Sequence, residues 1–143
     1  MIDDIPHFPL ERKEVTILLK EHGITPTRQR LEIAYHLFQK QQHISAERIL
    51  EKVNAIGNTV SRATVYNTMA LFTRKGLVRE VLIDRERVFY DSNSQPHHHF
   101  YNMDTGELSD IDDSANIDVS NLPGIPEGLR VIDTEVVIKV AQR

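Results

Sequence analysis

The stretch "SRATVYNTMALFTRKGLVREVLIDRERVFYDSN", residues 61–93, decides the fold class of this 143-residue chain. Its first half carries apolar residues at the spacing of one helical face, with Ser61 as the predicted N-cap and Gly76 as the predicted stop. Two β-rich segments, 77–83 and 87–93, then flank a polar turn, which is typical of a hairpin. The stretch therefore predicts a helix that leads directly into a β-hairpin.

Three further helices are predicted before this stretch: 10–23, 25–41 and 45–57. The second is expected to begin with Thr25 as N-cap and Pro26 at the first helical position, and the third with Ser45 as N-cap. Three or four short helices followed by a hairpin are the layout of a winged helix-turn-helix. We therefore predict this DNA-binding fold for residues 1–94.

The remaining residues predict a small sheet. In chain order they favour a strand, a turn, a strand, a loop and a last strand: 98–103, 104–107, 108–112, 113–129 and 130–141. A sheet of about three strands buries too little apolar surface to be stable alone. We therefore expect residues 95–143 to pack on the first domain or on the same region of a second copy.

Composition and charge narrow the class of protein. The chain is 40% hydrophobic and 27% charged, as in ordinary globular domains, and it has no cysteine, which excludes disulfides and thiolate metal sites. It lacks both a long apolar run and a secretory signal, so a cytoplasmic protein is expected. Residues 1–95 carry 14 basic and 12 acidic residues, whereas 96–143 carry 3 and 9. The N-terminal half can therefore bind DNA if its positive charge is gathered on one face.

The segment "PHHHFYNMDTGE", residues 96–107, concentrates three of the seven histidines of the chain. On an extended segment, His97 and His99 point to the same side and His98 to the other. Imidazole is a common neutral metal ligand, so His97 and His99 can face one ion. The alternative is that these histidines are surface residues or part of a polar strand edge.

Two carboxylates could complete a site with these histidines: Asp91 ends a predicted strand six residues before His97, and Asp110 lies on the strand that returns from His99. His43, before the third helix, is a further possible ligand. A mixed set of imidazole and carboxylate donors suits Mn²⁺, Fe²⁺ or Zn²⁺ and does not discriminate among them by ligand type alone.

Several motifs resemble the ferric uptake regulator (Fur) superfamily of metal-responsive repressors. They are "GITPTRQR" (23–30), "HHHF" (97–100) and "SRATVYNTMALFTRKGLVRE" (61–80), in which "ATVYNT" is the most specific part. Within the superfamily, three pieces resemble the Irr branch, the iron response regulators: "HHHF" again, "VFYDSN" (88–93) and "NLPGIPEGLRVIDTEVVIKV" (121–140). Many Fur-type proteins hold a structural zinc with two cysteine pairs. Asn102 and Thr105 stand where the first pair would be, so no structural zinc site of four cysteines is expected.

The resemblance implies an α+β protein: a winged helix-turn-helix, residues 1–94, followed by a small α/β dimerisation and metal- or haem-sensing domain, residues 95–143, built on a short, mostly antiparallel sheet. It implies a homodimeric Irr-like regulator that binds a pseudo-palindromic, A·T-rich operator and controls iron- and haem-related genes, chiefly as a repressor. It also implies a metal site at the domain hinge made of His43, Asp91, His97, His99 and Asp110. A zinc- or peroxide-responsive repressor on the same fold is the alternative.

The fourth helix is the expected recognition helix. Ala63, Asn67, Ala70 and Arg74 share the face opposite its apolar stripe, and Asn67 is suited to bidentate contact with adenine. The candidate DNA-contacting residues are Arg28, Arg30, Arg62, Thr64, Tyr66, Asn67, Arg85 and Arg87. The alternatives are a solvated helix face for the arginines and a half-buried core aromatic for Tyr66.

Haem is a second ligand that the resemblance implies. A single imidazole can ligate haem iron, so His97, His98 and His99 are candidates, with His98 the ring not used by the metal site. An enzyme is disfavoured because no H-E-x-x-H pattern, glycine-rich phosphate loop or nucleophile–base pair is found. A metal-storage protein is a further alternative. The three histidines would suffice for it, but it would not explain the capped helices and the hairpin.

Overall fold

The structure is a computed structural model that describes residues 8–55, 57, 60–112, 115, 117–119 and 121–143. The chain divides into two compact units, with the division after Gln95. The roles predicted for residues 1–94 and 95–143 stay predictions at this point. Among the described residues, no helix combines the length and the apolar character needed to cross a membrane.

The N-terminal unit contains four helices and three strands: α1 Arg12–Glu21, α2 Arg28–Leu37, β1 His43–Ile44, α3 Ala46–Asn54, α4 Arg62–Arg74, β2 Arg79–Leu82 and β3 Val88–Asp91. The strands form one antiparallel sheet in the order β1-β3-β2. This arrangement confirms the predicted helices and the hairpin after α4. Strand β1 was not predicted, because two residues give no periodicity to read.

Three serine or threonine caps fix where the helices begin. Ser45 and Ser61 accept hydrogen bonds from the third backbone N–H that follows each of them, at 3.2 and 3.1 Å, as predicted. The predicted start of α2 at Thr25 was wrong. Thr27 is the N-cap, with its hydroxyl 3.3 Å from the Arg30 N–H. Ile24 is buried and its N–H donates to the Leu19 carbonyl at the end of α1. Thr25 and Pro26 lie in neither a helix nor a strand, and α2 begins after Thr27, whose backbone is extended.

One hydrophobic core holds the N-terminal unit together. Its largest fully buried side chains come from every helix: Val15, Leu19, Ile33, Leu37, Ile49, Val53, Val65, Met69 and Phe72. Val65, Met69 and Phe72 lie on one stripe of α4, as the helical period predicts. Because this stripe is fixed in the core, the opposite face of α4 points to solvent.

The C-terminal unit is a three-stranded sheet of β4 His99–Asn102, β5 Leu108–Asp110 and β6 Val137–Val140, in the order β5-β4-β6. β4 pairs antiparallel with β5 and parallel with β6, and His99 lies opposite Asp110 in the first register. The last predicted strand, 130–141, forms only over its final third. The described residues of this unit, 96–112, 115, 117–119 and 121–143, contain no helix.

The turn between β4 and β5 is held by side-chain hydrogen bonds. Asn102 Oδ1 accepts from the backbone N–H groups of Asp104 and Thr105 at 2.9 and 3.1 Å. Gly106 has a φ of +73°, which favours glycine. Asn102 and Thr105 stand at the positions compared above with a cysteine pair, and here hydrogen bonds order this turn.

Candidate metal centre and nucleic-acid interface

The outer face of α4 is a slim, polar surface. Ala63, Asn67, Ala70 and Arg74 are all exposed, opposite the buried stripe. Two alanines leave room for close approach of a large partner, and the Asn67 amide offers both a donor and an acceptor. This face has the chemistry of a helix that reads base edges in a major groove.

An open groove of about 490 Å³ lies between the start of α2 and the middle of α4. Arg30, Thr64, Asn67 and Arg74 are among the residues that line it. The Arg30 guanidinium donates to the Thr25 carbonyl at 3.0 Å, so its charge is held at the rim of the groove. Two arginines and several neutral donors make this groove suitable for a phosphate backbone.

Tyr66 and Arg62 share one carboxylate. Tyr66 is 43% exposed and is not part of the buried core cluster. Its hydroxyl donates to Glu47 Oε1 at 2.9 Å, and Arg62 Nη1 pairs with the same oxygen. Glu47, in the first turn of α3, therefore holds both predicted DNA-contacting side chains at the start of α4 and offsets the charge of Arg62.

The wing at the tip of the β2–β3 hairpin is less basic than its arginines suggest. Arg87 Nη2 and Nε lie 2.6 and 2.8 Å from Asp84 Oδ2. Hydrogen bonds from the Glu86 backbone N–H and from the Arg87 side chain lower the pKa of Asp84, so this carboxylate stays ionised and matches the Arg87 charge. Arg85 is exposed on the same turn, and Arg28 is exposed at the start of α2.

In the N-terminal unit, β1 and β3 bring His43 and Asp91 together. They are direct partners in the register, and His43 Nε2 lies 3.0 Å from Asp91 Oδ2. The Asp91 carboxylate has no exposed surface and also accepts from the Asn93 N–H at 2.9 Å. A buried carboxylate needs such partners to remain ionised, so this pair is a fixed imidazole–carboxylate donor set.

The residues next to this pair fix β1 in place. The Gln42 N–H donates to Ser92 Oγ at 3.1 Å, and the Ser92 N–H donates to the Gln42 carbonyl at 3.2 Å. Gln42 Nε2 donates to the carbonyls of His36 and Leu37 at the end of α2. The helix terminus and the hairpin therefore position His43 together.

In the C-terminal unit, His97, His99 and Asp110 form a second donor set. Asp110 Oδ1 lies 2.9 Å from His97 Nε2 and 3.3 Å from His99 Nε2, and each of the three residues offers a possible ligand atom within 4.8 Å of the others. The two imidazole rings are 4.4 Å apart between centroids. The alternation of an extended segment thus turns both outer histidines toward one carboxylate.

His98 points elsewhere, as the same alternation predicts. Its Nδ1 accepts a hydrogen bond from the Val136 N–H at 3.0 Å. An imidazole nitrogen that accepts is unprotonated, so the neutral ring carries its proton on Nε2. His98 therefore helps to dock the segment before β6 rather than joining the cluster around Asp110.

Sequence reasoning missed Glu135. Its Oε1 lies 3.0 Å from His99 Nδ1, on the ring nitrogen that does not face Asp110. The parallel register of β4 with β6, in which His99 is opposite Val137, brings these residues together across 36 positions of sequence. No local pattern marks this glutamate, because its partner is set by a pairing that the sequence did not predict.

The family of the chain follows from comparison with known proteins. Residues 21–138 match the model of the Ferric uptake regulator family. The chain belongs to this family. The ferric uptake regulation protein of Vibrio anguillarum is 33% identical over 99 residues, which are 68% of this chain and 66% of that protein. This chain therefore spans just under two thirds of the length of that relative.

Two further comparisons extend over more of the chain. The peroxide operon regulator of Bacillus subtilis is 29% identical over 121 residues, covering 85% of this chain and 83% of that protein. The structure of the ferric uptake regulator from Pseudomonas aeruginosa with manganese has a TM-score of 0.65 and 25% identity, covering 87% and 95% of the two chains. The Fur-like α+β fold is therefore confirmed.

Proposed function

We propose that this Fur-family chain is a homodimeric, metal-responsive transcription regulator of the cytoplasm that binds operator DNA through the outer face of α4. The exposed Ala63, Asn67, Ala70 and Arg74 face, which a fully buried stripe holds outward, is the observation that carries this proposal. The match to the Ferric uptake regulator family supports it.

Each predicted DNA-contacting residue has a role in this proposal. Asn67 reads an adenine, while Tyr66 contacts a thymine methyl group or a phosphate. The remaining candidates hold the phosphate backbone from the two helices and the wing: Arg28, Arg30, Arg62, Thr64, Arg85 and Arg87. A homodimer presents two such helices, so the operator is a pseudo-palindrome with half-sites about 34–36 Å apart or a multiple of that distance.

We further propose that one divalent ion is held by both donor sets, His43 with Asp91 and His97 with His99 and Asp110. Three imidazoles and two carboxylates fit Mn²⁺, Fe²⁺ or Zn²⁺, and the close approach of imidazole nitrogens to carboxylate oxygens in each unit, at 2.9 to 3.3 Å, supports this assignment. A bound ion would supply the positive charge that offsets the two carboxylates. The donor sets then stabilise one arrangement of the recognition helices over others, which is how ligand binding gates DNA binding.

Binding of an A·T-rich palindromic duplex in an anisotropy titration tests both parts. We expect tight binding with Mn²⁺ and weak, salt-sensitive binding after metal removal. The double variant His97→Ala/Asp110→Ala should bind equally weakly with and without Mn²⁺, while Asn67→Ala should lose affinity with Mn²⁺ present. Equal binding by the metal-free and Mn²⁺-loaded wild type would contradict the gating proposal, and no binding in either state would contradict the DNA-binding proposal.

We propose further that the chain acts as an Irr-like regulator of iron- and haem-related genes, with haem bound at the segment His97 to His99. The resemblance of residues 88–93 and 121–140 to the Irr branch supports this assignment. Ligation through His98 Nε2 requires a proton on Nδ1 and the loss of the bond from Val136, so His97 or His99 is favoured as the axial ligand. Haem at either residue would compete with the divalent ion.

A Soret titration of wild type and of the triple variant His97→Ala/His98→Ala/His99→Ala tests haem binding. We expect the wild-type shift to disappear in the triple variant and to weaken when wild type is preloaded with Mn²⁺. His22→Ala is a matched control, since this histidine belongs to the other unit and its Nδ1 lies 2.8 Å from the Leu18 carbonyl. If the triple variant shows the same Soret shift as wild type, these three histidines do not bind haem and this part of the proposal is wrong.

A peroxide-responsive repressor on the same fold is the second candidate. The similarity to the peroxide operon regulator of Bacillus subtilis over 85% of this chain favours it. Hydrogen peroxide reacts with Fe²⁺ but not with Zn²⁺, so this candidate predicts that peroxide releases the Fe²⁺-loaded protein from the operator and leaves the Zn²⁺-loaded protein bound. Retention of the Fe²⁺-loaded protein on DNA would exclude it.

A further inference from the structure

The segment just before β6 makes three contacts with the histidine run. Glu135 Oε1 lies 3.0 Å from His99 Nδ1, the Val136 carbonyl accepts from the His99 N–H at 3.1 Å, and the Val136 N–H donates to His98 Nδ1 at 3.0 Å. Residues 135 and 136 therefore hold both the backbone and the side chains of this run. His99 is fully buried, whereas the Glu135 side chain keeps about a fifth of its surface exposed.

The contact with Glu135 determines which His99 nitrogen carries the proton. An ionised carboxylate only accepts hydrogen bonds, so a bond of 3.0 Å requires Nδ1–H as the donor. The competing donor position, Nε2, lies farther from its carboxylate, at 3.3 Å from Asp110 Oδ1. Asp110 Oδ1 is also closer to His97 Nε2, at 2.9 Å. The neutral ring of His99 is thus held as the Nδ1–H tautomer.

Glu135 cannot itself reach an ion at His99 Nε2 while it makes this bond. The two nitrogens lie on different edges of the ring, and their in-plane directions diverge. The carboxylate on the Nδ1 side therefore acts through the ring. Carboxylates or carbonyls in this position orient the ring of a metal-binding histidine and increase its basicity.

We propose that Glu135 is a positioning residue for His99: it takes the Nδ1 proton in a hydrogen bond and thereby presents an unprotonated Nε2, in a fixed ring orientation, to a divalent cation. This inference rests on the proposed role of His99 as a metal ligand. It also links metal binding to the docking of β6, since Glu135 and Val136 precede the first residue of that strand. The pairing of β6 with β4 and the tautomer in which His99 can bind a cation through Nε2 therefore depend on the same contacts.

Three variants of the full chain separate the possible roles. Glu135→Gln keeps a side-chain oxygen that accepts the Nδ1 proton but removes the charge, and Glu135→Ala removes both. Glu127→Ala is the matched control, because it removes an exposed carboxylate from the same unit and the same stretch of sequence. Far-UV circular dichroism of each variant establishes that the fold is retained.

Competition of Zn²⁺ between the protein and a chelating dye measures affinity. We expect Glu135→Ala to weaken binding by about ten- to a hundredfold, as for other groups that orient a metal-binding histidine. Glu135→Gln should lose less, and Glu127→Ala should match wild type. Affinities of Glu135→Ala and wild type that agree within error would overturn the proposal. If Glu135→Ala is unfolded, the His99 tautomer of the wild type decides, because Glu135→Gln keeps an oxygen that accepts the Nδ1 proton.

The tautomer is read independently by two-bond ¹H–¹⁵N correlation spectra of the metal-free protein at mildly alkaline pH. Wild type and Glu135→Gln should show His99 as the Nδ1–H form, and Glu135→Ala should show a mixture or the Nε2–H form. A wild-type spectrum with the Nε2–H form would overturn the role of Glu135. If wild type binds no divalent metal in the dye assay, the proposed function fails instead, and these spectra still decide whether Glu135 sets the tautomer.

Discussion

At the scale of single residues, carboxylates determine what the basic and imidazole groups can do. Asp84 matches the charge of Arg87 in the wing, so of the two wing arginines Arg85 is the better candidate for a phosphate contact. Asp110 Oδ1 in turn lies close to the Nε2 atoms of both His97 and His99, so these two rings face the same carboxylate. The sequence and the family resemblance already grouped Asp110 with His97 and His99, whereas the contact of Asp84 with Arg87 came from the folded chain.

Asn67→Ala should reduce specific DNA affinity and leave nonspecific affinity unchanged. The amide is the best-placed group on the outer face of α4 for reading an adenine, and a bidentate contact contributes about 1–3 kcal/mol of discrimination. Anisotropy titrations with operator and scrambled duplexes at one salt concentration measure both affinities. A parallel loss on both duplexes would mean that Asn67 contacts the backbone instead.

Asp84→Asn should strengthen nonspecific DNA binding through the wing. The variant removes the negative charge beside Arg87, so one more phosphate contact becomes available and the slope of log affinity against log salt should steepen by about 0.9. Glu86→Gln is the matched control, since it removes one charge from the same turn without touching the Asp84–Arg87 pair. The prediction fails if both variants change the slope equally.

At the scale of elements, caps and one buried stripe orient α4, the proposed recognition helix. α4 begins after Ser61 and buries Val65, Met69 and Phe72 completely, so its polar face has no freedom to turn inward. The start of α2, which lines the groove beside α4, is likewise fixed by Thr27. The geometry of the candidate interface is therefore a consequence of capping and packing in the N-terminal unit.

The two threonines before α2 give a test of this capping. Thr27→Ala should lower the free energy of unfolding by about 1 kcal/mol, the usual loss for a threonine N-cap. Thr25→Ala should change it little, because the Thr25 contact to Arg30 uses its backbone carbonyl. Urea denaturation of both variants measures the difference. A larger loss for Thr25→Ala would restore the cap predicted from the sequence.

At the scale of the whole molecule, the proposed function requires two copies of the chain to read one duplex. A 5-base-pair insertion between half-sites places them on opposite faces of the DNA, since one turn contains about 10–10.5 base pairs. We expect the inserted probe to bind the Mn²⁺-loaded protein with the affinity of a single half-site. A probe with the same central bases substituted but not lengthened is the control, and undiminished binding to the inserted probe would contradict simultaneous reading.

The sequence alone determined the helices of the N-terminal unit, the hairpin after α4 and two of its three serine or threonine caps. These features follow from interactions within a few residues: apolar periodicity, side chain to backbone bonds at the helix start, and turn chemistry. It also determined that His97 and His99 share a side, because alternation along an extended segment is a local property.

Only the tertiary structure showed how His43 is positioned and that Glu135 contacts His99. β1 exists because Gln42 is bonded to Ser92 and to the end of α2, and this places His43 against Asp91. Glu135 reaches His99 because the parallel pairing of β6 with β4 places the residues just before β6 beside His99. Such contacts depend on the register between strands that are distant in sequence. The register is set by the pairing of the whole sheet, so the residues next to Glu135 or His43 carry no pattern that predicts it.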